Sequence, residues 1–324
     1  MKKYRLIPII FTALLCLTLV SVRAFPITAS PDRADSFSDN TKKGERITLL
    51  IGGTDRTSGL TDALMLLTVD TDENSACVLQ IPRDTYAAYT EKSYKKINGG
   101  YGALGGEGLS ELFEKCFDVK IDGYMILSPN ALRNAVDTIG GVEVEIDRTM
   151  YYNDPAQDLY IYLKAGRHTL DGAKAEQFIR YRSGYINGDL GRIDTQKIFL
   201  CAVAKKLKNE ITHMDMLRVA ASLMSGTDTN MTSAQASAVI EALKTADEKN
   251  IILLTAAGES ATAKSGASYY SLSAPAMKEI LEKYFDGGEN FDPEKLFLNK
   301  YNSEFGRIYN RYCGYTLTRA DEID

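Results

Sequence analysis

Three short apolar runs near the start of the chain constrain its fold more than any other feature. They cover Ile47–Gly53, Ala63–Val69 and Ala76–Ile81, and turn-forming residues separate them. Continuous apolar runs of this length between turn residues are typical of buried β-strands. We therefore expect three strands in this region that contribute to the core of a domain.

Helical and strand-like segments alternate along the rest of the chain. Helical spacing covers residues 106–117, 130–139, 170–179, 192–207, 214–224, 234–243 and 274–284, and further strands are predicted at 124–127, 142–146 and 251–254. Strands interleaved with helices favour a layered α/β fold. The segment 291–324 is polar and rich in tyrosine, and it has no pattern that predicts an element.

The N-terminal region predicts a membrane anchor. Residues 1–5 carry three positive charges, and residues 6–22 contain no charged side chain. An apolar run of about 17 residues is at the short end of what crosses a bilayer as a helix. Cations before the run favour a cytoplasmic N-terminus, so we expect the rest of the chain outside the cytoplasm. A cleaved signal peptide is the alternative.

The predicted organisation follows from this anchor. Residues 23–45 are polar and lack apolar periodicity, which is typical of a flexible stalk. The predicted parts are a basic cytoplasmic stub (1–5), a transmembrane anchor (6–22), the stalk (23–45), a catalytic domain (46–290) and a C-terminal tail (291–324).

Composition narrows the classes of function. The formal net charge is −5, so the chain as a whole has no electrostatic reason to bind nucleic acid. The two histidines, His168 and His213, argue against a His-rich metal site or a Ser-His-Asp triad. The five cysteines form no CxxC pair, and Cys77, Cys116 and Cys201 lie in strand-like or helix-like runs, where buried free thiols are expected.

Polar clusters follow the ends of several apolar runs, where α/β folds collect their sites. In the first cluster, Asp55 and Asp62 flank a glycine-containing turn between the first two strands. A turn can bring two such carboxylates together, and Mg²⁺ prefers one or two carboxylates together with substrate phosphates. The alternative is an ordinary turn without a metal.

Two further clusters carry cations. Arg83 and Asp84 follow directly after Pro82, which ends a strand, so both side chains can project over the strand end. Lys95 and Lys96 precede a glycine-rich stretch that allows close backbone approach, and lysine offers a point charge to phosphate. Solvated loops are the alternative for both clusters.

The fourth cluster is rich in arginine. If the chain leaves the helix in extended form after Arg180, the guanidinium groups of Arg180 and Arg182 point to one face. Arg192 and Gln196 are four residues apart, so on a helix they also share a face. Arginine binds phosphate oxygens bidentately, and convergent arginines in a net acidic chain indicate a polyanion site. Surface arginines in salt bridges are the alternative.

The order of these clusters resembles the LytR-CpsA-Psr family. The matching segments are LLIGGTD, TDALML, IPRDT, KINGGYG, VDTIGGVEVEI, LDGAKAEQFIRYR and GDLGRIDTQ. They run from about residue 47 to 208, and the segment 255–273 is similar to the C-terminal part of that family.

The resemblance implies a phosphotransferase that moves a glycopolymer, such as teichoic acid or capsule, from undecaprenyl pyrophosphate to peptidoglycan. It implies an α-β-α fold, with a central mixed sheet flanked by helices and an apolar cavity for the polyprenyl chain. We expect side chains of the sheet and of the helices at 105–117, 130–139 and 193–207 to line that cavity.

The resemblance also implies roles for individual residues. Asp55 and Asp62 would bind Mg²⁺, and Asp84 would orient Arg83 or act as the base. The residues that would hold the pyrophosphate are Arg83, Lys96, Arg180, Arg182, Arg192 and Gln196. The residues that would be catalytic are Arg83, Asp84, Arg180, Arg182 and Arg192.

Two positions depart from the family pattern. The family usually has arginine where this chain has Leu60 and Thr195, so two cations near the phosphates are missing. Arg56 and Lys95 are candidates to compensate for them. Two other functions therefore stay open, a hydrolase acting on the same lipid and a non-catalytic protein that binds polyprenyl pyrophosphate.

Overall fold

The structure is a computed structural model. It describes residues 46–55, 59–90, 93–155, 159–182, 185, 189–210, 226–232, 235, 238–239, 242–243, 246–291 and 303–323. The predicted anchor and stalk, the predicted helix at 214–224 and Arg56 lie outside these residues. Within the described ranges, no helix is both long enough and apolar enough to cross a bilayer.

A mixed seven-stranded sheet forms the centre of the described residues. Seven of the strands in the described residues belong to this sheet, and the others form two-stranded sheets. In chain order the strands are β1 (Arg46–Thr54), β2 (Thr61–Asp70), β3 (Ser75–Ile81), β4 (Tyr86–Thr90), β5 (Ser93–Lys96), β6 (Gly123–Leu127), β7 (Val142–Ile146), β8 (Met150–Asp154), β9 (Leu159–Leu163), β10 (Gly166–Leu170), β11 (Thr227–Thr229), β12 (Ile251–Thr255), β13 (Gly258–Thr262), β14 (Ser268–Leu272) and β15 (Leu317–Arg319). The order in the large sheet is β11-β6-β1-β2-β3-β12-β15. The β1–β6 and β3–β12 pairs are parallel, whereas the other neighbours are antiparallel. This arrangement confirms the predicted central mixed sheet.

The helices lie between these strands in the chain. They are α1 (Gly100–Phe117), α2 (Pro129–Thr138), α3 (Gly172–Arg180), α4 (Asp189–Glu210), α5 (Ala274–Tyr284) and α6 (Ser303–Tyr309). The helix predicted from residue 170 begins only at Gly172, because Leu170 ends β10 and the Asp171 side chain caps the helix by accepting from the Lys174 N–H.

Helices cover both faces of the central sheet. Residues of alternating orientation, such as Leu49 and Leu50, enter two separate hydrophobic cores. The first core includes residues of α2, α3 and α4, and the second includes residues of α1 and α5. The layering is therefore α-β-α, as the family resemblance implies.

The C-terminal segment is part of this arrangement. Strand β15 pairs with β12 at the edge of the large sheet, with Leu253 opposite Thr318. Helix α6 buries Ile308 against Ala261 and Cys313. The sequence predicts no element here, because a three-residue strand is too short to show a period and its pairing partner is distant in the chain.

The cysteines of the described region are free thiols, namely Cys77, Cys116, Cys201 and Cys313. Three of them are buried, and Cys201 is half-buried on α4. Burial raises the pKa of the Cys77 thiol, which keeps it protonated and unreactive.

Candidate functional site

A β-bulge in β2 sets the direction of Asp62. Gly53 on β1 pairs with Ala63, and the next residue, Thr54, pairs with Thr61, which leaves Asp62 as the extra residue of β2. A bulge disrupts the ladder locally and re-aims a side chain, and such irregularities are frequent next to functional sites. The bulge lies at the end of the β1–β2 pair that carries the first polar cluster.

Three arginine side chains meet at the Asp62 carboxylate. Nη1 of Arg83 donates to Oδ1 at 2.6 Å, and Nη1 of Arg192 donates to the same oxygen at 3.4 Å. Nε of Arg180 lies 3.8 Å from Oδ2. These arginine side chains are only 15%, 3% and 9% exposed, respectively, so their charges are weakly screened by solvent. One carboxylate therefore neutralises only part of a strong local positive charge.

Each of these arginines comes from a different element. Arg83 follows β3 after Pro82, and Arg180 is the last residue of α3, which ends because Tyr181 has extended backbone angles (φ −66°, ψ 136°). Arg192 lies in the first turn of α4, and its Nη2 also donates to the backbone oxygen of Asp62 at 2.7 Å. The fold thus gathers three cations that are far apart in the sequence.

A buried glutamate supports Arg180 from behind. Glu176 is 2% exposed, and its Oε1 accepts a 2.9 Å hydrogen bond from Nη1 of Arg180 one helical turn later. Its other oxygen accepts from Nε of Arg133 on α2. Sequence reasoning missed both Glu176 and Arg133, although the i,i+4 spacing of Glu176 and Arg180 was a readable signal.

The second and third predicted clusters are joined through Asp84. Its Oδ1 lies 2.9 Å from Nζ of Lys96 and 3.9 Å from Nε of Arg83. The backbone N–H of Asn98 donates to the Arg83 carbonyl at 3.3 Å, which holds the glycine-rich segment against the end of β3. Helix α1 follows this segment from Gly100, and its backbone is interrupted at Gly105, where φ is 72°.

Gln196 and Thr195 lie on α4 near Arg192 and are both buried. The Gln196 amide is 3.5 Å from the Ile179 carbonyl, a long and weak contact. The Thr195 hydroxyl is 2.6 Å from that of Tyr185 and donates to the Gly191 carbonyl at 3.1 Å. A hydroxyl pair therefore fills the position where the family usually has arginine, and burial raises the pKa of Tyr185.

The remaining predicted residues are Arg182, Asp55 and Lys95. Arg182 is two residues beyond α3 and half-buried, and its predicted role stays a prediction. Asp55 follows β1, is half-buried, and donates its backbone N–H to the Leu60 carbonyl at 2.8 Å. Lys95 belongs to β5 next to Lys96.

An apolar cavity of about 130 Å³ lies beside the arginines. Its apolar lining includes Ile51, Met65, Leu127, Leu132, Ile179, Phe199 and Leu200, and its polar end is formed by Asp62, Glu176, Arg180 and Gln196. Helices α2 and α4 contribute to the lining, as predicted. Helix α1 contributes none of the lining residues, because it packs on the opposite face of the sheet, where Phe113 is buried in the second core. The prediction for the helix at 105–117 is therefore wrong.

The two aspartates can be tested for their fit to Mg²⁺. Both offer hard carboxylate oxygens at the same end of the β1–β2 pair, a donor type that suits this ion when phosphates complete the shell. In the part of the chain that is described, no group of three or more His, Cys, Asp or Glu side chains could hold a metal ion. Two carboxylates match the one or two that Mg²⁺ takes alongside phosphates, and the magnesium role of Asp55 and Asp62 stays a prediction.

The LytR_cpsA_psr family model matches residues 21–286, so the chain belongs to this family. Curated relatives include the polyisoprenyl-teichoic acid–peptidoglycan teichoic acid transferases TagU of Oceanobacillus iheyensis (30% identical) and TagV of Bacillus subtilis (25%). These matches cover 52% and 70% of this chain but only 54% and 60% of the relatives. The TagU of Bacillus cereus strain AH820 is 30% identical over 76% of this chain and 80% of its own length.

Solved structures agree with the fold. The crystal structure of B. subtilis TagV superimposes with a TM-score of 0.65 at 23% identity, covering 76% of this chain and 99% of that one. A structure described as TagT bound to LI-WTA gives a TM-score of 0.59 at 21% identity, covering 75% and 90%. At this identity the likeness establishes the shared fold of a mixed sheet flanked by helices.

Proposed function

We propose that the chain is a membrane-anchored, extracytoplasmic phosphotransferase that moves a glycopolymer from undecaprenyl pyrophosphate to peptidoglycan. The observation that carries this proposal is the meeting of Arg83, Arg180 and Arg192 at Asp62, beside an apolar cavity. A lipid pyrophosphate has a polyanionic head and an apolar tail, and it needs these two environments side by side. The names of the curated relatives support the same class of reaction.

The arginines are arranged for a pyrophosphate before it arrives. Asp62 holds their guanidinium groups close together, and phosphate oxygens would take over hydrogen bonds that its carboxylate now accepts. A hydrogen bond to a charged group contributes about 1.5–3 kcal/mol. Positioned cations also stabilise charge that develops in the transition state, without reorganisation during the reaction.

The reaction needs little covalent chemistry from the protein. A hydroxyl of the acceptor attacks the glycan-side phosphorus, the bond from that phosphorus to the bridging oxygen breaks, and polyprenyl monophosphate leaves. The hydroxyl proton passes to a base, and Asp84, 2.9 Å from Lys96, is the candidate; otherwise Asp84 orients Arg83. The arginines offset the charge of the transferred phosphoryl group, as cations do in other phosphoryl transfers.

Mg²⁺ belongs to the proposal because the family implies it. Asp55 and Asp62 would hold the ion together with phosphate oxygens. When bound, Mg²⁺ supplies further neutralisation of the phosphates. The arginines would also neutralise the phosphates, since they surround Asp62, one of the two carboxylates that would hold the ion.

The lipid tail requires the cavity to widen. Its volume of about 130 Å³ is well below the roughly 300–1,000 Å³ of typical small-molecule sites. Because α2 and α4 line the cavity over the sheet, we infer that these helices move apart when the polyprenyl chain enters. The predicted anchor at 6–22 would keep the domain at the membrane surface where the lipid resides.

A second candidate is a non-catalytic protein that binds the same lipid. Leu60 and Thr195 favour this candidate, because the family usually has arginine at both positions. Here Leu60 is uncharged and the Thr195 hydroxyl contacts that of Tyr185, so neither position carries a cation. Product analysis separates the candidates. With polyprenyl-pyrophosphate-linked glycan and Mg²⁺, a transferase releases polyprenyl monophosphate only when peptidoglycan is added, a hydrolase releases it without peptidoglycan, and a binding protein leaves the lipid intact.

A further inference from the structure

The outer face of one hairpin carries a group of exposed tyrosines. Strands β8 and β9 are antiparallel, with Tyr151 opposite Tyr162 and Asn153 opposite Tyr160. Side chains alternate between faces along a strand, so these four residues point to the same side. The buried residues of the other side are Met150, Leu159, Ile161 and Leu163. We call the surface formed by Tyr151, Asn153, Tyr160 and Tyr162 the tyrosine face.

The exposure of this face is unusual for the molecule. Tyr151, Tyr160 and Tyr162 are 67%, 54% and 60% exposed, and in the described residues only Leu60 and Tyr312 are comparable among large hydrophobic side chains. The rings of Tyr151 and Tyr162 meet edge to face, with centroids 6.3 Å apart. Tyrosine offers a large, rigid, amphipathic contact surface at low conformational cost, which suits recognition of another molecule.

Charge indicates which molecule fits. The four side chains of the tyrosine face carry no charge, the exposed Lys164 directly after β9 is the cation next to it along that strand, and the whole chain is net negative. A phosphate-rich polymer or an anionic membrane surface would be matched by lysines and arginines. A neutral polysaccharide instead offers apolar ring faces for stacking and hydroxyl or amide groups for hydrogen bonds, which tyrosine hydroxyls and an asparagine amide can exchange.

The hairpin is also connected to both helices that carry site arginines. The backbone N–H of Tyr162 donates to Oε1 of Gln177 at 3.1 Å, and Gln177 precedes Arg180 by about 4.5 Å along α3. On the other side, the guanidinium of Arg148, two residues before β8, lies 5.5 Å from the centroid of the Tyr185 ring, and Tyr185 contacts α4 through Thr195. These contacts hold the hairpin against the two helices that carry Arg180 and Arg192.

We propose that the tyrosine face binds the uncharged glycan strand of peptidoglycan and presents it as the acceptor. The acceptor role rests on the proposed function, whereas glycan binding does not. Strand binding at this face would place a sugar hydroxyl within reach of the phosphorus held by the arginines, while the neutral surface would leave the anionic glycopolymer of the donor unbound.

The test uses the full chain in detergent micelles and needs no turnover. Sedimentation with peptidoglycan sacculi stripped of teichoic acid measures binding by wild type and by the triple variant Tyr151→Ser/Tyr160→Ser/Tyr162→Ser. We expect at least about tenfold weaker binding by the triple variant, or about 1.4 kcal/mol. Tyr312→Ser, which removes an equally exposed tyrosine elsewhere, should bind like wild type. Thermal unfolding of each variant checks that the fold is kept.

Parallel arms separate the other occupants. Purified teichoic acid and phosphatidylglycerol vesicles replace the sacculi in the same assay. Equal binding of sacculi by the triple variant and wild type would overturn the proposal, as would a loss confined to vesicles or to teichoic acid. If donor turnover fails in every preparation but sacculus binding still depends on the three tyrosines, the proposed function fails and glycan recognition stands.

Discussion

Nη1 of Arg83 donates a 2.6 Å hydrogen bond to Oδ1 of Asp62, although the two residues are 21 positions apart and lie at the ends of different strands. Arg192, 130 positions from Asp62, donates to the same oxygen. A single carboxylate thus links the turn after β3 to the start of α4. It also keeps several cations together that would otherwise repel one another.

Replacing Asp62 by Asn should therefore lower the thermal midpoint. Three partly buried guanidinium groups would lose a shared counter-charge, at a cost of about 1–3 kcal/mol, less than for a fully buried pair. For a domain of this size that corresponds to roughly 2–12 °C. Inorganic pyrophosphate should raise the midpoint of Asp62→Asn more than that of wild type, because the anion replaces the lost carboxylate. Differential scanning calorimetry with and without pyrophosphate measures both effects.

The matched control is Asp147→Asn. The ion pair of Asp147 with Arg148 is exposed on both sides, so its loss should change stability by less than about 1 kcal/mol. The claim is wrong if both variants lower the thermal midpoint equally. It is also wrong if pyrophosphate raises the midpoint of Asp62→Asn no more than that of wild type, because Asp62 would then not offset the charge of the arginines.

The cavity can be blocked without changing the arginines. Ala63 lines the cavity from β2, so Ala63→Phe would fill space that a polyprenyl chain needs. We expect polyprenyl pyrophosphate to bind at least about tenfold more weakly, or about 1.4 kcal/mol, with the affinity for inorganic pyrophosphate little changed. Isothermal titration calorimetry with both ligands gives the comparison. Ala165→Phe adds the same ring at an exposed position and should bind both ligands like wild type. Unchanged lipid binding by Ala63→Phe would place the tail elsewhere.

The topology is a separate prediction. Lys2, Lys3 and Arg5 precede the apolar run, so the domain should lie outside the cytoplasm. A phosphatase reporter fused after Asp324 should be active in intact cells, since such reporters need export. The control is a reporter that is active only in the cytoplasm, fused at the same position. If only this control reporter is active, the predicted topology is wrong.

A buried lysine behind the site predicts a pH dependence of stability. Burial lowers the pKa of Lys197, although its Nζ donates to Oγ1 of Thr255 at 3.0 Å and lies 3.6 Å from the Asp194 carboxylate. The pKa of Lys197 in the folded state is below its ordinary value in the unfolded state, so the unfolded state binds more protons in the pH interval between the two values. Stability contributed by this group therefore rises with pH through that interval.

Lys197→Met should remove this dependence. The variant should be more stable than wild type near about pH 7, and the difference should shrink toward about pH 10 as the wild-type lysine loses its proton. Urea unfolding at both pH values measures it. Lys249→Met, at an exposed position, should show no such trend. A difference that grows with pH would contradict the lowered pKa.

The sequence was informative where a local pattern sets the structure. Strand β3 could be predicted from its apolar run, and the placement of Arg83 followed because Pro82 ends that strand. The bulge at Asp62 could not be predicted, since it depends on the register between β1 and β2. The side of the sheet that α1 covers was also out of reach, because the period of a helix defines its apolar face and leaves its partner open.

The same distinction applies to the site. Arginines in separate motifs could be grouped by resemblance to a family whose order of motifs is known. The support of Arg180 by Glu176 and Arg133 depends on the close approach of α2 and α3, where a side chain at Gly172 would meet the backbone of Arg133. Such a contact is a property of the packed structure.

The most direct test of the central claim measures covalent attachment of glycan to peptidoglycan. The purified full chain is incubated with polyprenyl-pyrophosphate-linked glycan, Mg²⁺ and peptidoglycan, and muramidase fragments are analysed by mass spectrometry. We predict glycan-phosphate on the fragments with wild type and with Arg167→Ala, an exposed control. Arg83→Ala removes a positioned cation, and Arg83→Lys keeps the charge but loses the bidentate geometry of the guanidinium group. Each variant should therefore reduce the yield by about 100-fold or more. Wild-type yield from Arg83→Ala, or no attachment by the wild-type chain, would contradict the account.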